Sequence, residues 1–331
     1  MIIHLSHNDL DGITSILLSR QFNIKHYYPC SYDKNSKSYI LTMIDYFISK
    51  YKSKITNFII TDVNFSKDML LYLDNNMQMI NPSCKYLYID HHNGMFTEDI
   101  ISKPNYTFVI DDNHSATRLY SDLLATIDKN RIAAYGDLIT AVDAWDMWRF
   151  DESSFALDIQ RVFYYYVFDR SGLESFQERL YSIIRLFEKD PPTNDYKPRW
   201  YNKYLSMYYT IHQYQIDKVI KNIYNDSNIY HLEFFNELKH VPAFEIEAYL
   251  RQNNPDIKYF IFVFDVNSNH IKIALRTNNS NTSKDMSEIA GRYGGGGHKK
   301  AASFIIPKVD YYSILNRNNE RTGFLRCLVY L

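Results

Sequence analysis

Cysteine is scarce in this chain, and the three present are arranged for neither a bridge nor a metal. Cys30, Cys84 and Cys327 are scattered, odd in number and without zinc spacing. That pattern excludes a disulfide framework and fits a reducing cytoplasm. Each is read as a buried structural thiol. No apolar stretch approaches the length of a membrane span. The N-terminus opens directly on a strand-like run with no basic region, so no secretory leader and no membrane partner are expected. An excess of one charge is also missing. The net charge is -1 and the isoelectric point about 6.8, which excludes the broad basic field that a long nucleic acid requires. A short oligonucleotide stays compatible, because metals and a handful of cations can meet its few phosphates. Glycine is sparse, and four of the 10 glycines stand together at 294–297.

What is present is a globular composition. The chain has 331 residues, 46% of them hydrophobic, enough for one large or two ordinary domains with a real core. The 30 tyrosines are read as compositional rather than as a base-stacking surface. Residues 1–150 alternate strand-like and helix-like runs, which argues for an α/β fold with a parallel sheet covered on both faces. The strand-like runs are 1–6, 56–61, 85–89 and 106–110, and the helix-like runs are 13–22, 39–50, 66–75, 115–127 and 131–145. Ser115 reads as the N-cap of the fourth helix.

Three of these runs end in residues able to bind metal. Met1–Leu5 leads into His7-Asn8-Asp9-Leu10-Asp11-Gly12, where an imidazole and two carboxylates leave the strand end together. Imidazole and carboxylate oxygen suit Mn²⁺, and Gly12 permits a tight turn into the helix. An acidic turn capping that helix is the simpler alternative. The run 56–61 ends in Asp62, and 85–89 ends in Asp90-His91-His92. A helix-like run over 133–148 carries Asp137, Asp143 and Asp146. Carboxyl ends of parallel strands meet on one edge, where α/β sheets place ligands, so these residues would pool into one site.

Beyond residue 150 the pattern changes twice. Residues 155–225 lose the strand signal and read as two or three helices, broken by Pro191-Pro192 and Pro198. From about Asn228 strands return, at 229–235, 258–266, 270–276 and 301–306, with helices at 243–251 and 284–293. Asn267-Ser268-Asn269 reads as a hairpin turn. Gly294–Gly297 followed by His298 and Lys299 reads as a loop whose amides approach an anion or a base edge. Arg276 ends a strand, where a guanidinium can grip a phosphate with two hydrogen bonds. The expected division is therefore a domain over 1–152, a helical connector over 153–227 and a smaller α/β domain over 228–331.

His7-x-Asp9-x-Asp11-Gly12, Asp62, Asp90-His91-His92 and an acid at 143–146 resemble, in order, the four motifs of the DHH phosphoesterase superfamily. Gly294–Gly297 with His298, Ala301-Ala302-Ser303-Phe304 and Ile273-Ala274-Leu275-Arg276-Thr277 resembles the substrate-binding domain associated with it. The resemblance implies two lobes, two divalent metal ions, usually Mn²⁺, and phosphoester hydrolysis. It makes His7 and Asp9 ligands of one metal, Asp11 and His91 ligands of the other, and Asp62 the bridge. Asp90 would orient its neighbours, and His92 would meet the scissile phosphate. For the last ligand, the spacing Asp146-x-x-x-Phe150 favours Asp146 over Asp143. Arg276, Gly295, Gly296, Gly297 and His298 would hold substrate. The implied activity is cleavage of short oligonucleotides or linear dinucleotides in the cytoplasm. Cyclic nucleotide signals, 3′-phosphoadenosine-type nucleotides and a binding-only protein are the alternatives. A homodimer is compatible with the resemblance, and nothing in the sequence sets the oligomeric state.

Overall fold

The structure is a computed structural model that describes residues 1–317 except 32–35, 93–100, 150–152, 154, 171, 221–223, 227–228, 235–241, 254–257, 278–283 and 298. It divides into two compact units, Met1–Tyr208 and Tyr209–Leu331. Among the described residues no helix is long and apolar enough to cross a membrane.

The first unit is built on five strands: β1 (Ile2–His7), β2 (His26–Cys30), β3 (Asn57–Thr61), β4 (Lys85–Asp90) and β5 (Tyr106–Ile110). They run in the order β2-β1-β3-β4-β5, and every pairing is parallel. Strand order reverses between β1 and β3, which opens a crevice beyond their carboxyl ends. Between and after the strands lie α1 (Leu10–Gln21), α2 (Ser36–Tyr51), α3 (Lys67–Gln78), α4 (Ala116–Ala133), α5 (Gly136–Asp146), α6 (Ala156–Tyr164), α7 (Phe176–Lys189) and α8 (Arg199–Ile220).

Side chains alternate across each strand, so the two faces make separate cores. Ile3, Leu5, Phe58, Ile60, Tyr86 and Tyr88 pack with Ile40 and Ile44 of α2 and with Leu70 and Leu73 of α3. The other face packs Ile59 and Ile89 against Ile13, Ile16 and Leu17 of α1, Tyr120 of α4 and Leu138 of α5. The helices read from sequence as a connector join this second core, through Ile159 and Val162 of α6, Ile183 and Phe187 of α7, and Tyr201 of α8. Arg20 of α1 meets Glu188 of α7 at 2.6 Å.

The strand β2 was not among the expected elements. His26-Tyr27-Tyr28-Pro29-Cys30 carries a proline, which ordinarily argues against a strand. Among the described residues it pairs only with β1, Pro29 opposite Ser6, and an edge strand tolerates the missing donor.

The second unit carries β6 (Tyr224–Asp226), β7 (Ile229–Phe234), β8 (Tyr259–Asp265), β9 (His270–Thr277), β10 (Gly296–Gly297) and β11 (Ala301–Pro307). Their order is β10-β11-β9-β8-β7-β6. Among the described residues only β7 and β8 pair parallel, and α9 (Ala243–Asn253) lies between them in the chain; the other pairings are antiparallel. Asn267 accepts from the amides of Asn269 and His270 at 2.9 Å each, which closes the β8–β9 hairpin. Ile261, Ile273, Phe304, Met286 and Ile289 centre its core, the last two from α10 (Met286–Gly291); α11 (Lys308–Arg317) ends the described chain.

Candidate metal centre

The carboxyl ends of β1, β3 and β4 bring His7, Asp62 and His91 together, and the helices supply the rest. Asp9 stands between β1 and α1. One of its oxygens accepts from Gly12 N at 3.0 Å and caps α1, while the other lies 2.7 Å from His7 Nδ1. The capping and metal-ligating readings of this residue are thus compatible, one oxygen for each. The need for glycine at position 12 is close approach rather than a special turn. A Cβ there would stand 2.1 Å from the carbonyl oxygen of His7.

Asp62 lies at the middle, 1% exposed. Its carboxylate is 3.6 Å from His7 Nδ1, 3.4 Å from His91 Nε2 and 3.9 Å from His92 Nδ1. Its backbone φ is +56°, a left-handed conformation that costs a non-glycine residue about 1 kcal/mol or more. The His91 Nε2 atom also lies 3.1 Å from Asp146 Oδ2 and 4.0 Å from Asp11 Oδ2. Donor atoms close enough to share an ion form the sets His7–Asp9–Asp62, Asp11–His91–Asp146 and Asp62–Asp90–His91–His92.

The two acids on α5 do different work. Asp143 accepts from Ser115 N at 2.7 Å and pairs with Arg149. It thereby anchors the start of α4, while Asp146 faces His91. The amides of Ala116 and Thr117 donate to the two oxygens of Asp11, at 2.9 Å each, and Ser115 caps α4 by accepting from Arg118 N. The positive end of α4 therefore orients two carboxylates. Sequence reading found the cap at Ser115 but not the bonds to Asp11, which join residues more than 100 positions apart.

Asp90 is buried and accepts from Tyr88 Oη at 2.8 Å, His91 N at 2.8 Å, His92 N at 3.1 Å and His92 Nδ1 at 2.7 Å. Burial alone would raise its pKa, but His92 and these donors hold it below the usual carboxylate range. Asp62 and Asp146 go the other way. Burial and the neighbouring carboxylates push both well above the usual range. Burial likewise raises Asp11. Burial opposes charge on His7 and His91, yet the surrounding acids lift both above the ordinary imidazole value. Crowded carboxylates beside imidazoles, oriented by a second layer of hydrogen bonds, fit divalent cations that take O and N donors.

This charge pattern gives the metal-free protein a defined pH response. Asp62, Asp146, His7 and His91 all have raised folded pKa values, so the folded state holds more protons than the unfolded state. Their contribution is present at low pH and is lost as pH rises through the folded values. Asp9 and Asp90 are lowered and are ionised in both states above about pH 5. The metal-free protein is expected to melt at a higher temperature at pH 5.5 than at pH 8, and saturating Mn²⁺ to shrink or reverse that difference. A flat profile in chelator would contradict the charge assignment.

No protein-family model matches the chain. Among curated proteins it is 26% identical to the oligoribonuclease NrnB of Bacillus subtilis over 326 residues, covering 91% of this chain and 72% of that one. It is 23% identical to a 3′,5′-cyclic-nucleotide phosphodiesterase of Helicobacter pylori over 170 residues, 49% of this chain and 47% of that one. Among solved structures, the pGpG-specific phosphodiesterase PggH of Vibrio cholerae superposes with a TM-score of 0.61 at 16% identity, covering 96% of this chain and 97% of that one. RecJ of Thermus thermophilus, solved with Mn²⁺, gives 0.53 at 13% identity, covering 93% of this chain and 50% of that one. The four motifs stand in order, their residues converge, and the fold matches across almost the whole chain. The chain thus resembles the DHH superfamily of phosphoesterases in its motifs and its fold.

The second unit treats its expected substrate residues differently. Arg276 Nε lies 3.2 Å from buried Glu247 Oε2, and its Nη1 donates to the Leu275 carbonyl at 2.9 Å. Arg251 lies on the other oxygen of Glu247 at 2.6 Å. The glycine run is not the loop expected from sequence. Gly296 and Gly297 form β10, paired with Ser303 and Ala302. A Cβ on Gly295 would stand 2.2 Å from the Ser303 carbonyl, and one on Gly297 2.5 Å from that of Ala301. These glycines let an edge strand lie tightly on β11. His298 lies outside the described residues.

Proposed function

We propose that this protein is a divalent-metal phosphodiesterase that hydrolyses short oligonucleotides or linear dinucleotides to mononucleotides. The observation that carries this reading is the pair of donor sets His7–Asp9–Asp62 and Asp11–His91–Asp146, with Asp62 and His91 in contact at 3.4 Å between them. His7, Asp9 and Asp62 would hold one ion, and Asp11, His91 and Asp146 the other, with Asp62 shared. Two such ions, when bound, supply Lewis-acid stabilisation of phosphoryl oxygens and lower the pKa of an attacking water.

The chain's own residues supply orientation. The ionised Asp90 can only accept, so the His92 Nδ1 beside it carries a proton, and only the doubly protonated ring also has an Nε2–H to donate to the scissile phosphate. The Tyr88 hydroxyl and the amides of His91 and His92 fix Asp90 in turn. The α4 amides orient Asp11 in the same manner. Substrate binding is assigned to Arg276, Gly295–Gly297 and His298 of the second unit. A near-neutral net charge favours a short substrate, since each phosphate contact along a long one needs a cation. The similarity to NrnB over 91% of the chain supports a linear one.

Incubation with a 5′-phosphorylated RNA dinucleotide and Mn²⁺, followed by chromatography, tests this reading. Mononucleotide release that stops with chelator is expected. Faster turnover of a cyclic nucleotide would move the substrate to that class. No release from either, by folded and metal-loaded protein, would overturn the reading.

A further inference from the structure

The face of β1 that meets α1 carries His4 and Ser6, two polar residues at positions where a central strand is ordinarily apolar. Both are 0% exposed. His4 Nδ1 lies 2.8 Å from Ser19 Oγ, and Ser19 Oγ lies 2.7 Å from Tyr120 Oη. On the other side of the ring, His4 Nε2 lies 2.8 Å from Thr61 Oγ1, which lies 2.6 Å from Ser6 Oγ. Ser6 Oγ is 2.9 Å from the Gly12 carbonyl and 3.1 Å from the Thr61 carbonyl.

Proton counting fixes the direction of this chain. The Ser6 hydroxyl faces two carbonyls that can only accept, so its proton goes to them. The Ser6–Thr61 contact must then use the proton of Thr61. Thr61 has no second proton, so His4 Nε2 donates to it. The bare Nδ1 accepts from Ser19, and Ser19 accepts from Tyr120. Every group is satisfied once. The reverse direction forfeits the carbonyl bond and leaves the buried Tyr120 proton without an acceptor among the described residues. Burial pushes the His4 pKa down to about 3, consistent with a ring that stays neutral.

The ends of this chain stand directly behind the metal centre. Ser6 precedes His7, and Thr61 precedes Asp62. The peptide between Thr61 and Asp62 is held from both sides: Ser6 Oγ reaches its carbonyl, and its N–H donates to the Ile89 carbonyl at 3.0 Å. This peptide opens the left-handed turn at Asp62. The Gly12 carbonyl belongs to the first turn of α1, and Tyr120 belongs to α4, the helix whose amides hold Asp11.

We propose that His4 is a positioning residue for the metal centre: as the Nε2–H tautomer it holds Thr61 and, through it, Ser6, and so sets the strand ends that carry His7 and Asp62. The proposal rests on the reading of that centre as a metal site. Two amide replacements separate the role from mere core packing. Glutamine places an N–H near the imidazole Nε2 position and keeps the bond to Thr61. Asparagine reaches only the Nδ1 position and loses it.

The test measures Mn²⁺ affinity by paramagnetic resonance of the free ion, alongside thermal unfolding, for wild type, His4→Gln, His4→Asn and Thr61→Val. Affinity is expected to stay within about threefold in His4→Gln and to fall at least about tenfold in His4→Asn and Thr61→Val, the scale of lost outer hydrogen bonds at metal sites. The ring tautomer of His4 is read in the wild type from long-range proton–nitrogen spectra, so the proposal stays testable if a variant does not fold. An Nδ1–H ring, or equal affinity in the Gln and Asn variants, would overturn it. Wild-type protein that binds no Mn²⁺ would overturn the metal reading and the positioning role together, whereas tight wild-type binding with indifferent variants overturns the positioning role alone.

Discussion

Asp62→Ala is expected to abolish hydrolysis, by about a thousandfold or more, while leaving a folded protein that is no less stable in chelator. The two halves of this expectation have one cause. Asp62 belongs to one donor set and lies 3.4 Å from His91 of the other, so as the proposed shared ligand its loss would disturb both proposed ions. In the absence of metal, the same carboxyl is buried among Asp9 and Asp11, and its pKa is driven well above the usual range. Removing it relieves like-charge crowding, which outweighs the left-handed φ of +56° that alanine inherits in full. Sites of this kind trade stability for function. Wild type should gain melting temperature on adding Mn²⁺, as any ligand that binds only the folded state produces, and the variant should lose most of that gain. A folded Asp62→Ala protein that still hydrolyses dinucleotide at a near wild-type rate would show that the ions, if bound, do not share this residue.

Gly12→Ala is expected to destabilise the protein by about 3 kcal/mol or more, the upper part of the range for overpacked interiors. Two effects of opposite sign compete. Position 12 lies inside α1, where alanine is intrinsically better than glycine by about 1 kcal/mol. Against that, the new Cβ would stand 2.1 Å from the His7 carbonyl oxygen and 2.6 Å from its carbon. Both are backbone atoms at the end of a central strand and cannot turn aside. Urea unfolding measures the outcome. A net gain in stability would mean that the first turn of α1 can shift away from β1, and with it Asp9 and Asp11.

Much of the first unit could be read before any coordinates, because apolar runs closed by acids mark parallel strands. His7, Asp62 and His91 stood out as candidates for that reason: each stands where a buried strand meets the sheet edge. The edge strand β2 escaped, since Pro29 and two tyrosines mask its period. The glycine run was legible only in part, for a related reason. Composition shows that Gly295 and Gly297 accept close contact but not with what, and the partner is their own neighbour strand β11. His4 looked like one more member of an apolar run, because its partners Ser19, Thr61 and Tyr120 lie on three other elements. The split of labour between Asp143 and Asp146 needed the position of Ser115 N.

The bonds from Ala116 and Thr117 to Asp11 also set a timetable. A ribosome that has released the chain through Ile110 has delivered all five strands of the first sheet, together with His7, Asp9, Asp62, His91 and His92. It has not yet delivered the amides that aim Asp11, nor Asp146. All strands of this sheet therefore precede completion of the donor set Asp11–His91–Asp146 in the order of synthesis.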